Sequence, residues 1–185
     1  MNRIEKGSLL VLAIIVAFNI FFGLGSIPLL DPDEPVYAET AREMIQFNDY
    51  LSPRIYNEYW FDKPPMYYWL VAGAMHVFGD GEFAARFPAA LMAFLTVIML
   101  YCSITRLFNE RAGFWSALVL ATSVQFFYLG KAAVTDTTLL FFLTGSLLCY
   151  LHKQYWLMYV CMALGTVTKA VSYTHLRAHE TKANL

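Results

Sequence analysis

Apolar and polar positions fall in long blocks along this chain. Ser8 to Leu30 carries no charge and, at 23 residues, is long enough to cross a bilayer as a helix. A cleaved signal peptide would have a shorter core and a small-residue cleavage site. Neither is evident, so the run reads as an uncleaved first transmembrane helix, ended by Pro28 and Pro32. From Pro35 the period becomes helical and amphipathic. Tyr37, Thr40, Ala41, Met44 and Ile45 share one face, and Glu39, Arg42, Glu43 and Gln46 the other. This predicts a helix of about three turns, too polar to span and suited to the membrane surface. Asn48 to Pro65 reads as irregular, with Pro53, Pro64 and Pro65 as breakers. Met66 to Phe78 is apolar but short, and it ends in Gly79-Asp80-Gly81, which predicts a buried, re-entrant or interfacial helix. Four further runs follow, giving expected transmembrane segments at about 8–30, 87–105, 112–130, 137–151 and 155–171.

Composition sharpens this picture. The chain of 185 residues is 58% hydrophobic and only 15% charged, against roughly 25% charged in ordinary soluble domains. The net charge of −1 argues against nucleic acid as a partner. Eight of the fourteen acidic residues lie between Asp31 and Pro65, between apolar blocks, and so belong at the bilayer surface. The aromatic cluster from Tyr56 to Trp69 suits an interfacial belt. Cys102, Cys149 and Cys161 sit in apolar runs without ligand spacing and read as small buried hydrophobes.

Charge parity orients the chain. If Met66 to Phe78 does not span, Arg3, Lys6, Arg106, Arg111 and Lys153 all fall on one side, as the positive-inside rule demands. The acidic loop, residues 31–86, and the turn from Lys131 to Asp136 then face the extracytoplasmic side. The polar tail from Ser172 to Leu185 breaks the pattern and resembles translated adapter sequence, so it is expected to be non-native. The pair His175 and His179 within it is not read as a metal site.

Three loop positions carry candidate chemistry. Asp33-Glu34 opens the surface helix, where a carboxylate can cap orphan amides or serve as a base at the membrane. Lys63, held between Asp62 and Pro64-Pro65, suits a phosphate as a point charge, or forms a surface ion pair. Asp136 follows Lys131 and opens an apolar run, again as a cap or a site residue. Parity places all three on one face. A transporter would carry ionisable groups within its spans. The charges here gather at the surface, which disfavours transport and leaves an enzyme or a scaffold.

The strings DEPVYAETAREM, FDKPPMYYWL, EFAARFPAAL and KAAVTDTTLLFFL, in that order and spacing, resemble the polyprenyl-phosphate-sugar glycosyltransferases, related to the lipid A aminoarabinose transferase and the protein O-mannosyltransferases. The resemblance covers roughly Ser8 to Lys169. It implies an all-α integral membrane fold, a GT-C type multi-helix bundle with amphipathic juxtamembrane helices in the first extracytoplasmic loop. It also implies a multi-pass protein of the bacterial inner membrane that transfers sugar from an undecaprenyl-phosphate-type donor, with inversion, to lipid A or another envelope acceptor. Asp33, Glu34 and Asp136 would then be catalytic, and Lys63 with Asp62 would hold the donor phosphate. In the aminoarabinose relatives a Glu usually precedes the lysine and contributes to a metal site. Asp62 is one methylene shorter, which weighs against a metal role; a divalent cation is the one candidate cofactor, and no metal ligand is assigned. The family is several times longer than this chain, so the fragment is expected to be inactive alone.

Overall fold

The computed structural model describes residues 3–30 and 32–169, with side chains from residue 7 onward; the tail from Ser172 lies outside the described residues. It is a bundle of α-helices with one two-stranded hairpin. The helices are α1 (Arg3–Phe21), α2 (Asp33–Phe47), α3 (Met66–Phe78), α4 (Glu82–Leu107), α5 (Glu110–Ala121), α6 (Val124–Gly130), α7 (Asp136–Leu151) and α8 (Tyr155–Thr168). The hairpin pairs β1 (Arg54–Ile55) with β2 (Glu58–Tyr59), antiparallel.

Helix α4 is the axis of the bundle, packed against α1, α3, α5, α6 and α7. Small residues allow this. Ala84, Ala85, Ala89, Ala90 and Ala93 are all buried on its surface, so neighbouring backbones approach closely. The α4–α5 crossing is the tightest case: a Cβ added at Gly113 would lie 2.9 Å from the Tyr101 carbonyl oxygen. Two apolar clusters result. One joins α2 and α3 to the first half of α4 through Tyr37, Met44, Tyr67, Tyr68, Val71 and Ala89. The other joins α1 to the rest of α4 through Leu12, Val16, Ile20, Val97 and Tyr101.

Several boundaries differ from those read off the apolar runs, each for a local reason. Helix α1 ends at Phe21, and the chain turns through Gly23 at φ 68°, well before Pro28. Helix α4 begins at Glu82 rather than Phe87, because Arg86 is neutralised by a buried partner instead of ending the run. The run 112–130 is two helices meeting at Thr122-Ser123 with a 68° bend. Only α4 is long and apolar enough to cross a membrane by itself among the described residues; α5 and α6 pass the same test as a bent pair.

Candidate active site

Helix α2 presents its first two carboxylates in different directions, because successive helical positions are about 100° apart. Asp33 is exposed, whereas Glu34 is buried at 3% exposure. Neither acts as a side-chain N-cap: Pro32 occupies that position, with no side-chain cap hydrogen bond.

Glu34 is the hub of a saturated polar node. Arg86 Nε donates to its Oε1 at 2.9 Å and Arg86 Nη2 to its Oε2 at 2.7 Å. The backbone amide of Ala133 donates to Oε1 at 2.6 Å, and that of Leu30 to Oε2 at 2.7 Å. The remaining Arg86 donors go to the carbonyls of Leu24, Ile27 and Pro28 at 3.1, 2.6 and 2.9 Å. All five guanidinium N–H groups and all four carboxylate acceptor positions are thereby used. Burial alone would push the Glu34 carboxyl up; the Arg86 guanidinium and the two amides outweigh it, and the group lies below its ordinary range. A carboxylate so engaged has no lone pair left for a substrate. Glu34, expected to be catalytic, has both carboxylate oxygens taken up within the protein.

The node holds two segments against each other. One is the start of α2, which carries Asp33. The other is the loop 131–135, tied through Ala133, which leads into Asp136 at the first turn of α7. Asp136 is no N-cap either, since Thr135 holds that position. Instead its carboxylate accepts from Lys169 Nζ at 3.1 Å, joining the start of α7 to the end of α8. Lys63 pairs with Asp62 at 3.1 Å, just before Pro65 starts α3. That carboxylate, with burial opposing it, raises the Lys63 ammonium above its ordinary value.

Tyr37, one turn along α2 from Asp33, feels the charges of Asp33, Lys63 and Asp136. Its ring is buried, edge-on to Tyr67 with centroids 5.1 Å apart and tilted against Tyr68 at 5.7 Å. Burial raises its hydroxyl pKa, while Thr135 and the charge of Lys63 pull it down and the charges of Asp33 and Asp136 add to the rise. Asp33, Lys63 and Asp136 thus all lie within electrostatic reach of one phenol. The Tyr68 hydroxyl is also buried there; burial raises its pKa, helped by Tyr37 and Asp62, against a pull from the Thr40 hydroxyl.

A sequence profile described as dolichyl-phosphate-mannose-protein mannosyltransferase matches residues 62–176, more than half of the chain. The chain belongs to this family. It is 33% identical over 150 residues to the undecaprenyl phosphate-alpha-4-amino-4-deoxy-L-arabinose arabinosyl transferase of Yersinia enterocolitica, a match covering 80% of this chain and 27% of that relative. Its fold is that of ArnT from Cupriavidus metallidurans. The apo crystal structure superposes with a TM-score of 0.82 at 24% identity, over 89% of this chain and 33% of that one. The structure bound to undecaprenyl phosphate gives 0.80 at 26% identity, over 86% and 32%. The chain thus spans about a quarter to a third of the length of these relatives. Membership makes it part of a multi-pass membrane protein with the GT-C type helical fold.

Three residues of this arrangement escaped the sequence reading. Arg86 was visible as a lone cation in an otherwise apolar run, a pattern that marks a paired or functional group. Lys169 is similarly isolated at the end of the last run. Tyr37 was placed on one face of its helix with Thr40, Ala41, Met44 and Ile45, and nothing in that spacing shows that its phenol lies buried within reach of three charges. Among the described residues no three His, Cys, Asp or Glu side chains gather as a metal-binding group. Asp62 is engaged with Lys63.

Proposed function

We propose that this chain is the N-terminal part of a membrane glycosyltransferase that moves a sugar from an undecaprenyl-phosphate-linked donor to an envelope acceptor, with inversion, on the extracytoplasmic face of the bacterial inner membrane. The observation that carries the reading is the buried Tyr37 phenol within electrostatic reach of Asp33, Lys63 and Asp136. These groups offer a cation for a phosphate together with an exposed carboxylate, Asp33, and a half-buried one, Asp136. Lys63 would hold the donor phosphate as a point charge, oriented by Asp62. Asp33, exposed and free of the node, would engage or activate the acceptor. Asp136 would organise the site and bring Lys169 in as a second cation, so that the departing phosphate meets more than one positive charge.

The spans in this reading are α1, α4, the α5–α6 pair, α7 and α8, with α2, the hairpin and α3 in the first outer loop. The up-and-down order then sets Arg106, Arg111 and Lys153 at the inner end, in accord with the positive-inside rule. Lipid A phosphate is the favoured acceptor, because the arabinosyl transferases are the named relatives. The family description favours a second reading, transfer to a protein hydroxyl.

The test is transfer by the full-length protein in nanodiscs with a polyprenyl-phosphate-sugar donor, offered lipid A and a hydroxyl-bearing peptide in parallel. Transfer to lipid A that vanishes in Asp33→Asn and Lys63→Ala upholds the first reading, and transfer to the peptide upholds the second. Full activity in both variants sinks the assignment of the site.

A further inference from the structure

A second feature lies on the other side of the Glu34–Arg86 node. A cleft of about 190 Å³ opens between the turn after α1 and the end of α6. Its walls are almost wholly apolar, and Ile27, Leu30, Phe127 and Tyr128 are exposed along them. Glu34 and Arg86 reach its floor, but their polar atoms are all engaged in the node. The remaining charge is Lys131 at its edge. The Lys131 ammonium donates to the Phe22 carbonyl at 2.8 Å and lies 4.8 Å from the centre of the Phe127 ring. A lysine has three donors, so two remain for a ligand. Among the described residues no carboxylate pairs with it.

We propose that this cleft binds one anionic glycerophospholipid of the surrounding bilayer, with its headgroup phosphate on Lys131 and an acyl chain along Ile27, Leu30, Phe127 and Tyr128. Charge complementarity selects the occupant. An apolar trough with a single unneutralised cation at its edge matches an amphiphile with one anionic head, and basic sites beside transmembrane helices take such heads. Position agrees: Phe22, which anchors Lys131, stands where α1 ends and so at the headgroup level. The proposal shares with the transferase reading the placement of α1 in the bilayer, but it uses neither Lys63 nor Asp33.

The test is lipid retention by the full-length protein in nanodiscs of phosphatidylcholine doped with phosphatidylglycerol, measured by native mass spectrometry after release into detergent. One phosphatidylglycerol should be retained in preference to phosphatidylcholine. Lys131→Gln should lower its occupancy about fivefold, from the roughly 1 kcal/mol that one basic residue contributes near an anionic surface. Lys131→Arg should keep it. Ile27→Trp, which fills the trough from an exposed position, should lower it without touching the charge. Equal retention of both lipids, indifference to Lys131→Gln, or loss in Lys63→Gln instead would each overturn the proposal, the last by placing the anion at the donor site.

Discussion

Replacing Arg86 by methionine tests the node that holds the site together. Methionine fills a similar volume but supplies none of the five hydrogen bonds. Removing one partner of a buried ion pair costs about 3–5 kcal/mol, because the other charge is left uncompensated. Folded over unfolded chain should therefore fall by between about 10²- and 10⁴-fold. The double variant Arg86→Met with Glu34→Leu separates this node from an ordinary buried pair. Ordinary pairs can be replaced by apolar residues at little cost. Here five backbone groups, the carbonyls of Leu24, Ile27 and Pro28 and the amides of Leu30 and Ala133, lose their partners. At about 1 kcal/mol each, the double variant should remain up to about 5 kcal/mol less stable than the parent.

The pH dependence carries the same logic. The folded Glu34 carboxyl lies below its ordinary value of 4.5, so its contribution is complete above that value and is lost as pH falls through the lower folded one. In Arg86→Met the sign reverses, because an unpaired buried carboxylate prefers its proton; that variant should be relatively more stable near pH 4–5 than at pH 7. The assay is denaturant unfolding in mixed micelles, followed by helical circular dichroism from pH 4 to 8. A loss under about 1 kcal/mol in Arg86→Met, or a double variant as stable as the parent, would refute the account of the node.

Other perturbations follow from the same structure. Gly113→Val should force α4 and α5 apart at the Tyr101 carbonyl and cost about 1–3 kcal/mol, read by the same unfolding assay. Glu43→Ala removes the carboxylate that accepts the Asn57 amide at 3.1 Å from beneath the hairpin turn. It should cost about 1–3 kcal/mol and speed proteolysis between residues 51 and 61, with α7 and α8 unaffected. Asp62→Asn breaks a half-exposed pair and should change stability by under about 1 kcal/mol. The Lys63 ammonium should then titrate closer to its ordinary value, visible in the NMR shift of its ε-carbon.

How much of this the sequence carried depends on what each feature rests on. Periodicity and hydropathy are local, and they placed α2, α3, α7 and α8 to within a few residues. The loop carboxylates Asp33, Glu34, Asp62 and Asp136, with Lys63, stood out as candidates because charge beside long apolar runs is conspicuous. What stayed hidden depends on partners far along the chain. Glu34 and Arg86 are 52 residues apart, and nothing in either segment shows that one carboxylate of the Asp33-Glu34 pair turns inward while the other faces out. The start of α4 was missed for the same reason, since a charge ends an apolar run until its counter-charge is known. The break at Thr122-Ser123 left only a weak mark, two hydroxyl residues in a run that hydropathy reads as continuous.

The Glu34–Arg86 node also has a consequence in time. Its members leave the ribosome in the order Leu24, Ile27, Pro28, Leu30, Glu34, Arg86 and lastly Ala133. Arg86 sits in the helix most able to enter the bilayer, yet Glu34 and the three carbonyls precede it, so a counter-charge already waits when it arrives. The final contact closes only when residue 133 has emerged, three residues before Asp136. Nascent chains halted before and after that point should differ in how firmly the first loop is held, and the site should lock as its last carboxylate enters.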